Sequence, residues 1–290
     1  MAVAVAVAAP TDSPSARPAG VTIASTGGEQ GLRFGGRLRL DGRVAGAGAG
    51  VAVQLEHAPG GDPWRAVQTT STGADGGYRF ELRAFRSGAY RASTVGGGIA
   101  APRLITGAGA LSGRATRHLR VGARVSVRGA VRPSVPGRVV RLQRLAHGGW
   151  RTVALARTNG AGRFRAAWRP PATGVYRLRL RFVGDALNGA ATDALNGGVH
   201  VYRAAHASWY GPGFYGSRTA CGQTMSAWIV GVAHKSLPCG TRVVFRYRGR
   251  SVAARVIDRG PFVAGREFDL TAATKGRLGF GGVGVVWSTR

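Results

Sequence analysis

Along most of the chain, apolar residues alternate with polar ones in short runs. Val51, Val53 and Leu55 form one run, Val125 and Val127 another, and Leu178, Leu180 and Phe182 a third. A period of two puts every second side chain on one face, so each run predicts a half-buried strand. The turn clusters GADGG (73–77) and NGAG (159–162) separate them. Val-rich alternation continues over 242–247, 251–257 and 283–287, broken by RGR and DRGP turns. One short helix is predicted over 271–280. Thr271 can cap it, Ala272 and Ala273 favour it, and Gly279 stands where a C-terminal cap belongs.

The chain repeats itself. An offset of 86 places Trp64-Arg65 on Trp150-Arg151, Tyr78 on Phe164 and Gly88-Ala89-Tyr90 on Gly174-Val175-Tyr176; upstream the offset becomes 87, with Val53 and Leu55 on Val140 and Leu142. Short strands at about ten-residue spacing over ~80 to 90 residues predict a small antiparallel sandwich. Each copy resembles bacterial immunoglobulin-like modules, without the cysteines of antibody domains. The expected organisation is a signal-like, flexible lead-in (1–28), two such modules (29–112 and 113–203) and a different C-terminal domain (204–290). His57, His118, His147 and His200 are scattered singly through the modules and read as surface or structural residues. The modules read as spacers or binders.

Composition narrows the class. A length of 290 residues suits more than one core, and 44% hydrophobic residues argue against wholesale disorder. No run of 18 or more apolar residues is present, so no transmembrane segment is expected. The 41 Lys+Arg against 12 Asp+Glu give +29, and the only lysines are Lys235 and Lys275. Such a balance favours polyanionic surroundings: nucleic acid, anionic lipid or a phosphate-rich cell wall. No nucleic-acid reading motif accompanies it, so a specific nucleic-acid partner is not expected. Arg177, Arg179 and Arg181 would form a basic stripe on the solvent face of a strand, either a merely solvated face or one placed for the phosphate or carboxylate groups of anionic wall polymers. The opening MAVAVAVAAP looks like the tail of a signal peptide, which points to secretion.

From Ala207 the texture changes to ASWYGPGFYG (207–216), RTACGQTM (218–225), GVAHKSLPCGTRV (231–243) and ARVIDRGPFVAGREFDLT (254–271). This block resembles the RlpA-like (rare lipoprotein A) double-psi β-barrel family, over about 84 residues. The fold class this implies is all-β: two tandem immunoglobulin-like sandwiches followed by a six-stranded double-psi barrel. The resemblance implies a cell-wall-associated lytic transglycosylase acting on peptidoglycan glycan strands with a 1,6-anhydro product, and no cofactor or metal. The family's functional Glu, His and Asp fall on Gln223, His234 and Asp258. Gln223 departs from the pattern, because an amide keeps the shape of Glu but cannot titrate.

Asp258 follows apolar Val256-Ile257, so burial would raise its pKa and Arg259 would lower it; its carboxylate could equally cap the following turn. Asp269, in EFDLT, resembles an expansin-type groove Asp and could also stabilise the helix start. Tyr210, Phe214, Tyr215 and Arg259 are candidates for substrate binding, while alternation turns Trp209 inward. Cys221 and Cys239 lie 18 apart in one small domain and are expected to form a disulfide, with buried free thiols as the alternative. A competing function is a non-catalytic peptidoglycan-binding or expansin-like wall-loosening module, for which Gln223 argues.

Overall fold

The computed structural model describes residues 20–26 and 32–290. The expected lead-in over 1–19 and 27–28 lies outside the described residues. Part of it is not a lead-in: Val21–Ser25 is a strand, paired antiparallel with Gly36–Val44 from Val21 opposite Val44 to Ser25 opposite Leu40. The reason is local. Val21 and Ile23 alternate with Thr22 and Ala24 and are buried, as in the other strands.

The described chain is all-β apart from one helix and forms two compact units. The first holds the described residues up to Ala110 together with Val131–Pro133 and Phe182–Ala191; the second holds Leu111–Ala130, Ser134–Arg181 and Thr192–Arg290. In the first unit, one sheet orders Val21–Ser25, Gly36–Val44 and Gly77–Ala84, and another orders Arg65–Ser71, Ala52–Pro59, Gly88–Thr94 and Arg103–Ile105. Inward residues of both enclose one core, with Leu38, Leu40 and Phe80 from one side and Val53, Leu55 and Tyr90 from the other.

The same pairing pattern recurs in the second repeat. Val125–Arg132 pairs with Arg163–Trp168, and Val139–Ala146 lies between Gly149–Arg157 and Gly174–Phe182. One stretch of the sequence match shifts in space. Tyr90 is buried and stacked on His57, whereas Tyr176 is half-buried, donates from its hydroxyl to Ala172 O (2.8 Å) and meets Trp168 edge-on. The core place of Tyr90 falls to Leu178, because the strand that carries it has nine residues in the second repeat and seven in the first.

The C-terminal sheet is organised by one strand of 20 residues, Ala191–Tyr210, which runs unbroken through 203–204. Its first half lies beside Gly174–Phe182. Its last residues pair antiparallel with Gly284–Ser288 (Arg203 opposite Ser288) and parallel with Phe268–Thr271 (Tyr210 opposite Thr271). Phe268–Thr271 pairs with Gly231–His234, that strand with Arg250–Asp258, Arg250–Asp258 with Arg242–Tyr247, and Arg242–Tyr247 with Gly284–Ser288. Val232, Val256, Phe245, Phe268, Leu270 and Val286 fill the enclosed core. The helix is Ala272–Leu278. Thr271 Oγ1 accepts the Thr274 N–H at its start, and Gly279, left-handed at φ 67°, closes it.

Candidate active site

Register decides which polar residues meet. Val232 lies opposite Val256 and Leu270, and all three face the core. An irregularity after Val232 then sets Ala233 opposite Asp258 instead of Ile257. Ala233 also lies opposite Asp269, and Asp269 opposite Ser208. Directly paired residues share a face, so Asp258, Ala233, Asp269 and Ser208 form a row on the face away from the core. Tyr210 stands two residues beyond Ser208 on that face.

This row concentrates unsatisfied polarity. Among the described residues, Ser208 Oγ, Tyr210 Oη and Asp269 Oδ1 are buried outside good hydrogen-bond geometry, although Ser208 stands close enough to Asp269, and Tyr210 to Asp258, to pair with it. Buried polar groups so imperfectly paired are uncommon in folded proteins, and three on neighbouring positions single out this face. Burial, with help from the Asp258 charge, raises the Asp269 pKa against the opposing pull of Ser208 and Arg266. Burial, together with the Asp258 and Asp269 charges, likewise holds the proton on Tyr210. Asp258 is fixed differently: its Oδ1 accepts the N–H groups of Ala220 (2.8 Å) and Arg259 (2.9 Å).

His234 does not join them through its ring. Its Nδ1 accepts the N–H groups of Ser236 (3.1 Å) and Leu237 (3.0 Å), which leaves Nε2 as the protonated nitrogen of the neutral ring. Nε2 lies 3.9 Å from Glu267 Oε1, and the ring packs on Phe268. Burial keeps the His234 pKa below its usual value although Glu267 pulls it up. Glu267 is held by both terminal nitrogens of Arg203. Arg259 reaches the carbonyls of Leu237 (3.1 Å) and His234 (3.4 Å), so it braces the 234–239 loop beside Asp258. Asp258, Glu267 and Asp269 are the only acidic residues of 204–290.

Gln223 sits on the segment that covers this face. With its amide nitrogen turned inward it donates to Thr219 Oγ1 (3.1 Å), Ile257 O (3.2 Å) and Cys221 O (3.3 Å). The covering segment is tied down by the Cys221–Cys239 disulfide, which forms as expected with a Cα–Cα distance of 5.7 Å. The Cys221 N–H donates to Ile257 O (3.2 Å), beside Asp258. Phe214 and Tyr215 are exposed, Phe214 edge-on to Tyr210. Trp209 packs against the core, as its alternation implies, with Lys275 Nζ 3.8 Å from the ring centre.

Sequence reasoning passed over Ser208, Glu267, Trp228 and Phe262. Ser208 and Glu267 carry no signal until the register is known. Trp228 and Phe262 are 85% and 83% exposed, and Phe262 stands four residues after Asp258.

Comparison with known proteins converges on the same segment. Residues 202–287 match the family model described as lytic transglycolase. A probable endolytic peptidoglycan transglycosylase RlpA of Synechocystis is 49% identical over 81 residues, which is 27% of this chain and 25% of that one. The endolytic peptidoglycan transglycosylase RlpA of Pseudomonas aeruginosa is 44% identical over 80 residues, 27% of this chain and 24% of that one. The chain thus spans about a quarter of the length of these curated relatives. Among solved structures, the Streptomyces papain inhibitor covers 30% of this chain and 91% of its own at 23% identity, with a TM-score of 0.25. The carboxylates, the disulfide and the family match share one stretch of sequence: at its C-terminus the chain carries an RlpA-like double-psi β-barrel domain of the lytic transglycolase family.

Proposed function

We propose that residues 204–290 form a closed six-stranded double-psi barrel that cuts peptidoglycan glycan strands, in a protein secreted to the cell wall with two immunoglobulin-like modules before the barrel. The circuit of strand pairings supports closure, and a disulfide suits an oxidising, extracytoplasmic setting. The observation that carries the reading is the row Asp258, Asp269 and Ser208 with Tyr210, where the pairing register gathers two carboxyls, a hydroxyl and a phenol on one face.

Asp269, whose pKa burial raises, is the member assigned the role of general acid. It protonates the glycosidic oxygen as the bond from C1 to that oxygen breaks. The C6 hydroxyl oxygen then bonds to C1, and its proton passes to the Asp258 carboxylate, leaving a 1,6-anhydro end without consuming water. Tyr210 keeps its own proton beside both carboxyls and can donate a hydrogen bond to the sugar. Phe214, Tyr215 and Phe262 offer ring faces to the glycan.

One observation favours a non-catalytic, expansin-like or wall-binding reading. Gln223, in the place of the family Glu, satisfies two carbonyls with its amide and has no proton to exchange. The test is a digest of purified glycan strands, with and without stem peptides, read by mass spectrometry for anhydro ends. Anhydro ends support the enzyme; binding without them leaves a wall-binding domain.

A further inference from the structure

The two repeats hold one arginine each in the same way. In the first, Arg91 Nε donates to Glu56 Oε2 (2.8 Å) and its guanidinium lies 4.2 Å from the Trp64 ring centre. In the second, Arg179 Nε donates to Gln143 Oε1 (2.8 Å) and its guanidinium lies 4.3 Å from the Trp150 ring centre. The geometry is preserved and the acceptor is changed. Glu56 neutralises Arg91, whereas Gln143, itself donating to Thr152 Oγ1 (3.3 Å), fixes Arg179 and leaves its charge whole.

The surroundings of Arg179 reinforce the difference. Leu178, Leu180 and Phe182 are buried, so Arg177, Arg179 and Arg181 project from the opposite face of their strand. Exposed Arg141 shares the face of Gln143 on the neighbouring strand. Among the described residues none of these four arginines pairs with a carboxylate, and residues 82–184 contain 21 arginines and no Asp or Glu. Asp193, the carboxylate of the second unit nearest in sequence, accepts the Gly113 N–H (2.8 Å). Exposed Leu155 lies opposite Arg141 and adds an apolar patch.

We infer that this face of the second repeat docks a polyphosphodiester chain of the polyol-phosphate kind, with Arg179 as its fixed centre. Arginines two residues apart on a strand stand ~6.6 Å apart, a repeat that a flexible phosphodiester chain with a short carbon spacer can follow. Guanidinium forks pair with phosphate oxygens in bidentate fashion, and a guanidinium already held by a ring and an amide loses little freedom on binding. Trp150 and Leu155 meet the carbon segments between phosphates. No residue of the barrel takes part; only the choice of polymer follows from the wall setting.

The test is titration of the full chain with poly(glycerol phosphate) across a salt series, with thermal unfolding as a check on the fold. Replacing Arg177, Arg179 and Arg181 by Gln should weaken binding at least roughly tenfold and flatten the slope of log affinity against log salt by about 2, near 0.7 for each phosphate no longer neutralised. Gln143→Glu removes no arginine and should weaken binding about threefold or more, because it gives Arg179 the neutralising partner that Arg91 has. Replacing Arg163, Arg165 and Arg169 by Gln removes the same charge elsewhere and should change affinity less than about twofold. The inference is overturned if that control weakens binding as much as the first triple variant, or if Gln143→Glu binds as wild type does. It is equally overturned if single-stranded DNA binds as tightly and responds identically to every variant. Anhydro-end formation is scored separately, so failure here and failure of the barrel chemistry are distinguishable.

Discussion

The face bearing Asp258 and Asp269 and the face bearing Arg177, Arg179 and Arg181 are built alike, from alternate residues on the side of a sheet turned from its core. They differ in what lies over them. The carboxyls sit beneath a segment pinned by the Cys221–Cys239 disulfide and the hydrogen bond from Ala220 to Asp258, and burial raises the Asp269 pKa. Arg177 and Arg181 stand in water with no cover. Alternation alone supplies a charged surface; a cover that removes water makes titratable groups depart from their solution behaviour, which proton transfer needs. The first face is suited to chemistry and the second to binding.

The sharpest way to break this contrast is to neutralise the covered carboxyls. Asp269→Asn and Asp258→Asn should each lower anhydro-product formation by about 10² to 10⁴, the span of general acid and base contributions, while glycan binding persists. Product counted by mass spectrometry checks this, and undiminished product from either variant would remove that residue from the mechanism.

Removing the pin attacks the cover itself. Replacing Cys221 and Cys239 by Ala should lower stability by about 3 kcal/mol, as expected for a loop of this length, seen as a lower urea midpoint. It should also depress product formation, since the cover places the Ala220 N–H on Asp258. Phosphopolymer binding by the second repeat should stay unchanged.

Gln223→Glu sharpens the same comparison from within the cover. A carboxyl there faces Cys221 O and Ile257 O, which hydrogen-bond only its protonated form, so the new acid should have a raised pKa and lift product formation about tenfold. A drop in activity would assign Gln223 a purely positional role.

Acidity separates buried imidazoles from the buried carboxyl by sign. Burial, aided by Arg246, His200 and Arg117, lowers the His118 pKa to about 4, and burial with Arg86 lowers His57 to about 4. Their stabilisation is therefore present above the unfolded value of 6.5 and lost as pH falls through about 4. Asp269 runs the other way: its share is present below 3.8 and is lost as pH rises through its raised value. Urea midpoints should fall from pH 6.5 to 4, and His118→Gln should reduce the fall. The smallest effect is expected of Glu56→Gln, which gives the first repeat the acceptor of the second. An ion pair this near the surface contributes roughly 0 to 1 kcal/mol, so the midpoint should barely move.

How much of this was legible in the sequence follows from what each feature depends on. The alternation of Val51, Val53 and Leu55, the helix capped by Thr271 and Gly279, and the two cysteines of one small domain are local facts, and the structure carries each of them. The row at the site is not local. Asp258 reaches the level of Asp269 only because the pairing skips Ile257, and no periodicity announces such an irregularity. His234 was recognisable as a residue but not its neighbour Glu267, which arrives from 33 positions downstream. The sandwich of Trp64, Arg91 and Glu56 needs two paired strands and the residue leading into a third at once. The repeat itself misled at Tyr176, where a matching motif sits two residues out of step with the core.

The 20-residue strand Ala191–Tyr210 has a mechanical consequence. It is a wall of the second repeat's sheet at one end and a stave of the C-terminal domain at the other, and between them His118 Nδ1 meets Tyr202 Oη at 2.9 Å while Tyr202 packs near Trp287. No slack segment separates the two. Tension on the second repeat would run along the covalent backbone and load the hydrogen bonds to Gly284–Ser288 and Phe268–Thr271 in shear, where many must yield together. A protein anchored through its arginines to a moving polymer would transmit that pull straight into the strand bearing Ser208 and Tyr210, making the site a part of the load path.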